Sequence, residues 1–162
     1  MGVFSTENMH FFSLYGLIAM VLLLLPTLLF AKKIQGRVED LETCGPLVCL
    51  MEHLMRIIAA GMLIFAGFSH RDQYFLIAAI VVLALYYLLW ARFVSNSSYH
   101  PEFFTKGLIG IPAPIHLMNA LFFILISIYL GNDAALFVSI VYGVCHYANA
   151  LKMRQDLIKK GY

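Results

Sequence analysis

The chain has 162 residues, of which 62% are hydrophobic and 12% charged, with a formal net charge of +2. An ordinary globular domain is about 45–50% apolar and about 25% charged, so this chain has too little polar surface to cover a water-soluble core. The small net charge argues against a nucleic-acid partner, and three cysteines are too few for a disulfide framework.

The composition reads as an all-α polytopic membrane protein, a single transmembrane domain over 1–162. Met1 to His10 is short and polar; its first six residues match a myristoylation pattern that is often met by chance. The first apolar run, about 11–31, has no positive region before it and ends in Lys32-Lys33. It therefore reads as an uncleaved span, with Pro26 able to kink it. A loop with Glu39, Asp40 and Glu42 leads to the second run, about 46–69. The third run, about 73–94, follows Asp72, a candidate N-cap. Pro101 stops helix continuation in the next polar loop. The fourth run, about 107–130, is broken early by Pro112 and Pro114. Gly131-Asn132-Asp133 predicts a tight turn with a capping carboxylate, and about 134–151 is the fifth run. A bilayer needs about 20 apolar residues per helix, so five spans are expected.

Five spans put the termini on opposite sides. One side then holds Lys32, Lys33, Arg37, Arg92, Lys106, Lys152, Arg154, Lys159 and Lys160, and the other holds Arg71. The positive-inside rule sets the N-terminus out and the C-terminus in.

The polar residues inside the runs carry the functional reading. Glu52 and Arg56 are i, i+4 and share one face of the second helix. A charge at the centre of a membrane helix costs roughly 2.5–3.5 kcal/mol on insertion scales, so such residues face the protein interior and pair. His116 and Asn119 share a face of the fourth helix, and His146 and Asn149 a face of the fifth. Tyr86 and Trp90 are one turn apart on the third, and Tyr142 is one turn from His146. In the orientation above, all fall in the cytoplasmic half of the bilayer. That predicts a polar pocket opening to the cytoplasm, with Glu52, Arg56, Tyr86, Trp90, His116, Asn119, His146 and Asn149 as its ligand-binding residues. A structural ion pair, an interfacial aromatic belt and interhelical hydrogen bonds are the plainer explanations of the same residues.

Tyr86-x-x-x-Trp90-x-Arg92, then Gly110-Ile111-Pro112, then Gly143-x-x-His146 resemble a group of small bacterial integral membrane proteins without an established activity. The resemblance spans roughly residues 50–150, and it implies a bacterial inner membrane. The chain also resembles sterol-isomerase-like proteins in its five spans with acidic and aromatic pocket residues. It is similar to glutathione-dependent membrane enzymes in having a Glu and an Arg near the cytoplasmic face. Neither of these two likenesses transfers a residue.

Three functions fit. The first is binding or transport of a small amphipathic or anionic ligand, with Arg56 pairing the anion and His116 and Asn119 hydrogen-bonding it. The second is a membrane enzyme on a lipid-like substrate, using Glu52, His116 and His146 as acid and base. The third is an accessory or protective subunit of a membrane complex. The expected partners are membrane lipid, a small ligand, a second copy or another membrane protein. No catalytic residue is assigned. No metal or cofactor is expected, haem held by two of His53, His116 and His146 being the alternative. What separates the readings is whether the polar groups line a cavity or pack shut.

Overall fold

A computed structural model describes residues 12–30, 41–65, 73–96, 100–108 and 110–162. Among these residues every regular element is a helix: α1 (Leu14–Phe30), α2 (Pro46–Phe65), α3 (Gln73–Asn96), α4 (His100–Thr105), α5 (Pro114–Tyr129) and α6 (Asp133–Lys159). Three are long and apolar enough to cross a membrane, over Pro46–Phe65, Gln73–Ser95 and Asp133–Lys159. The other two apolar helices, α1 and α5, have 17 and 16 residues, about 24–26 Å at 1.5 Å per residue. The expected cap Asp72 and the loop charges Lys32, Lys33, Arg37 and Arg71 lie outside the described residues.

The burial pattern is inverted relative to a soluble protein. Ile57 is 69% exposed and Phe137 69%, whereas Glu52 is 7% exposed. Large side chains standing outward on α1, α2, α3 and α6 form the continuous apolar surface that a protein avoids in water. This is consistent with a membrane protein.

Helices α2, α6, α5 and α3 pack side by side in that order, and α1 closes the open side of the arc. The α5–α6 contact is tight because it is made by small groups. A methyl group added at Gly143 would stand 3.2 Å from the Ala120 methyl, and Ser127 and Ser139 are hydrogen-bonded across it at 3.0 Å. Small residues that let backbones approach are a common basis of helix association in lipid.

The loops differ in detail from the sequence expectation. The fourth apolar run becomes α-helical only at Pro114, where a missing N–H is harmless in the first turn. Ala113 before it is left-handed, with φ 45°, outside the right-handed helical region and also outside the extended conformation usual before proline. The freed Pro112 carbonyl accepts the Tyr147 hydroxyl at 3.0 Å. Between α5 and α6, Gly131 takes φ 68°, and the cap is Asn132 rather than the Asp133 carboxylate. The Asn132 side-chain oxygen accepts the Ala135 N–H at 2.8 Å, and its amide reaches the Met62 carbonyl at 3.3 Å. An amide supplies both acceptor and donor, so it ties α6 to the end of α2; a carboxylate has nothing to donate.

Helix α6 continues past residue 151 to Lys159, because a second small core holds its last turns. Leu41, Phe104, Ala113, Ala150 and Leu157 pack there. The 41–45 segment lies across α6, with the Glu42 N–H on Asp156 at 3.2 Å and the Cys44 N–H on Asn149 at 3.0 Å.

Candidate functional site

The helical spacing of Glu52 and Arg56 does bring them together, with Nη2 2.6 Å from Oε1. The pair is completed from α6, one helix away. Nδ1 of His146 lies 2.9 Å from the same carboxylate oxygen, and the Asn149 amide donates to the other oxygen at 2.6 Å. A carboxylate only accepts, so toward Glu52 it is Nδ1 of His146 that donates. Asn149 is placed in turn by the Cys44 N–H. Three donors on two helices thus satisfy one buried carboxylate.

Above this cluster stand the rings. The Arg56 guanidinium lies over Tyr142, 5.2 Å from the ring centroid, a cation–π arrangement. Tyr142 stacks on His146 at 5.1 Å and donates its hydroxyl to Asn119 Oδ1 at 2.7 Å. The His116 ring is 5.1 Å from that of His146. From the loop end, Phe104 stacks on His116 at 4.9 Å and Phe103 meets it edge-on at 5.0 Å. Trp90 packs against the other side of Phe103, also at 5.0 Å.

These groups border a partly open cavity of about 420 Å³ lined by side chains of α1, α2, α3, α4, α5 and α6. Its polar lining is Arg56, His116, Asn119 and His146, with the Thr27 hydroxyl near Tyr86. Its apolar lining includes Leu23, Ile57, Ala60, Ile115 and Phe123. Of the eight expected site residues, Arg56, Tyr86, Trp90, His116, Asn119 and His146 line the cavity. Glu52 and Asn149 stand behind the wall and orient Arg56 and His146. Among the described residues, three nitrogens of lining side chains are buried without a hydrogen-bond partner: Arg56 Nε, Trp90 Nε1 and His116 Nδ1.

Tyr142 and Phe103 belong to the lining although spacing did not single them out as ligand residues. For Tyr142 a signal existed, one turn from His146 on the same face. For Phe103 none did, since α4 reads in the sequence as a polar loop. His53 is turned away, with its Nδ1 2.7 Å from the Cys49 carbonyl on an exposed face of α2. Of the three histidines named for haem, His116 and His146 are neighbours, and His53 is not in the cavity lining. Among the described residues, no group of three or more His, Cys, Asp or Glu side chains is arranged to hold a metal ion.

Comparison with protein-family models, curated proteins and solved structures finds no match to this chain. The reading of the site rests on its geometry.

Proposed function

We propose that this chain is a small integral membrane protein whose cavity binds or transports a small amphipathic or anionic ligand. The observation that carries the reading is the convergence of Arg56, His116, Asn119 and His146 on one aromatic-walled cavity of about 420 Å³. Ligand sites are commonly clefts of about 300–1,000 Å³, mostly apolar, with a few placed polar groups. A structural polar cluster has no use for such a volume.

The topology we propose is five spans in a bacterial inner membrane, with the N-terminus outside and α4 and the 41–45 segment at the cytoplasmic end. A cysteine introduced at Gly131 should then react with an impermeant reagent from outside, and one at Gln155 should not. The reverse labelling overturns the orientation.

The binding reading is tested at His116. His116→Phe keeps an aromatic ring between Phe104 and His146 and removes both nitrogens. The variant should melt within a few degrees of the parent in mild detergent, while mass spectrometry of the purified protein shows its copurifying small molecule depleted. A large fall in melting temperature with an unchanged small-molecule complement would show a packed structural cluster instead.

One observation favours a second reading, an enzyme. Glu52 fixes the tautomer of His146, and the ring also lines the cavity, which is how a carboxylate orients an imidazole general base. His146→Gln would then abolish turnover of a bound lipid-like substrate while leaving its binding within a few-fold. The third reading, an accessory subunit, requires a second membrane protein to copurify, and a homo-oligomer requires a second copy.

A further inference from the structure

A second recess lies where the end of α3 meets α4 and the start of α5. Arg92, Glu102 and Lys106 line it together with Leu89 and Phe93. Its volume is about 30 Å³, against about 420 Å³ for the cavity. It can seat a few atoms of a headgroup, and no whole ligand fits it. Arg92 is the only formally charged residue of α3, four positions before the helix ends at Asn96. A long basic side chain near a helix end ordinarily reaches out of the hydrocarbon to the interface. A recess shared with a second cation is more than that anchoring requires.

Charge sets what the recess can take. The Lys106 ammonium is 2.6 Å from a Glu102 carboxylate oxygen, so those two charges cancel. Arg92 is exposed and has no ion-pair partner among the described residues. Two cations and one carboxylate leave the recess one positive charge. Its complement is a single negative charge, and a guanidinium matches the oxygens of a phosphate two at a time. Lys106 keeps donors beyond the one that Glu102 takes, since an ammonium has three. Basic pockets between membrane helices are a common seat of anionic lipid headgroups.

The surface beside the recess suits the rest of a lipid. Leu88 and Leu85 stand one and two turns before Arg92 on the same face of α3, 65% and 40% exposed. From the charged end they continue as an apolar track along which an acyl chain can lie. The recess also backs on the cavity, since Phe103 and Ile115 line both. A headgroup shared by Arg92 of α3 and Lys106 after α4 ties these two elements together and steadies the Phe103 wall.

We propose that this recess seats the phosphate of one anionic phospholipid of the bilayer, of the phosphatidylglycerol kind, with an acyl chain along Leu88 and Leu85. The site lies outside the cavity and does not depend on what the cavity holds.

The full chain in nanodiscs of phosphatidylcholine, phosphatidylethanolamine and phosphatidylglycerol in equal parts tests it, native mass spectrometry counting the lipids kept on the protein. One phosphatidylglycerol per chain should be kept, at least ten-fold over either of the others. Arg92→Gln should lower that retention ten-fold or more. Lys159→Gln removes the same charge from an exposed position of α6 outside the recess, and should change retention less than two-fold. Hydrogen exchange over 100–106 should be slower in phosphatidylglycerol nanodiscs than in phosphatidylcholine ones, and Arg92→Gln should erase the difference. Equal losses in the two variants would mean diffuse attraction to a basic surface and overturn the site. Phosphatidylcholine or phosphatidylethanolamine kept as strongly as phosphatidylglycerol overturns the anionic class. Full displacement by inorganic phosphate, where chloride at the same ionic strength leaves the lipid bound, makes the recess a free-phosphate site and overturns the lipid. Exchange over 100–106 that is equal in the two lipids overturns the tie between α3 and α4.

Discussion

Two regions that meet at His146 treat polar groups in opposite ways. Toward α2 lies Glu52, whose two oxygens take Arg56, His146 and Asn149. On the other side stand His116, Trp90 and Arg56, each with a buried nitrogen that no atom of the described residues matches. A buried polar group left unmatched costs about 1–3 kcal/mol, so the two regions act on stability with opposite sign. The contrast separates groups that hold the helices together from groups whose burial is left uncompensated within the described residues.

Breaking the matched side should have the largest effect. Glu52→Gln removes the negative charge and sets an amide N–H₂ against groups that themselves donate. Removing one partner of a buried pair costs about 3–5 kcal/mol where burial is complete, and the unfolding midpoint in detergent should fall accordingly. Arg56→Gln should cost less, because the Arg56 side chain is 38% exposed. The double variant should lose less than the sum of the two. Additive losses would mean that the two charges act separately.

The hinge of the cavity comes next. Gly16→Ala forces α1 away from the Leu63 carbonyl, an overpacking expected to cost about 1–3 kcal/mol. Hydrogen exchange should quicken over the first half of α1 while α5 and α6 stay protected. Equal quickening throughout would show that α1 belongs to the same packed unit as the rest.

On the unmatched side the sign reverses. Trp90→Phe deletes a buried N–H that has no acceptor and retains an aromatic ring among Phe30, Phe93 and Phe103. Losing the unmet donor offsets part of the lost packing, so the melting temperature should change little, by about 1 kcal/mol or less in either direction. A loss as large as that of Glu52→Gln would place Trp90 with the structural cluster.

The smallest effect belongs to the strap at the end of α6. Lys160 and the Glu42 N–H hold the Asp156 carboxyl below its ordinary value of 3.8. A depressed folded value contributes stability that is present above the ordinary value and is lost as the pH falls through the folded one. The protection of the Glu42 and Cys44 amides, taken against the intrinsic exchange rate at each pH, should therefore be high at neutral pH and fall below about pH 4. Asp156→Asn should reproduce part of that fall at pH 7. Unchanged protection in both conditions would show that the strap is held by Leu41 and Phe104 packing alone.

How much of this was legible beforehand depends on the range of the interaction. The helices announce themselves through continuous apolar runs, and the Glu52–Arg56 pair through the i, i+4 period, because backbone hydrogen bonding in a helix is local. The same period put His116 with Asn119, His146 with Asn149, and Tyr142 one turn from His146. The start of α5 at Pro114 instead of residue 107 and the Asn132 cap also turn on local rules, which the sequence reading applied too coarsely. What the chain alone does not contain is which faces meet. That Glu52 is met by His146 and Asn149, nearly a hundred positions on, follows from α2 and α6 packing antiparallel. That Phe103 closes the site follows from a six-residue helix too short to leave a periodic signal. The cavity itself lies where α1 spans two neighbours, joining α2 at Gly16 and α3 at Tyr87. A gap is a property of several packed surfaces at once, and no single segment encodes it.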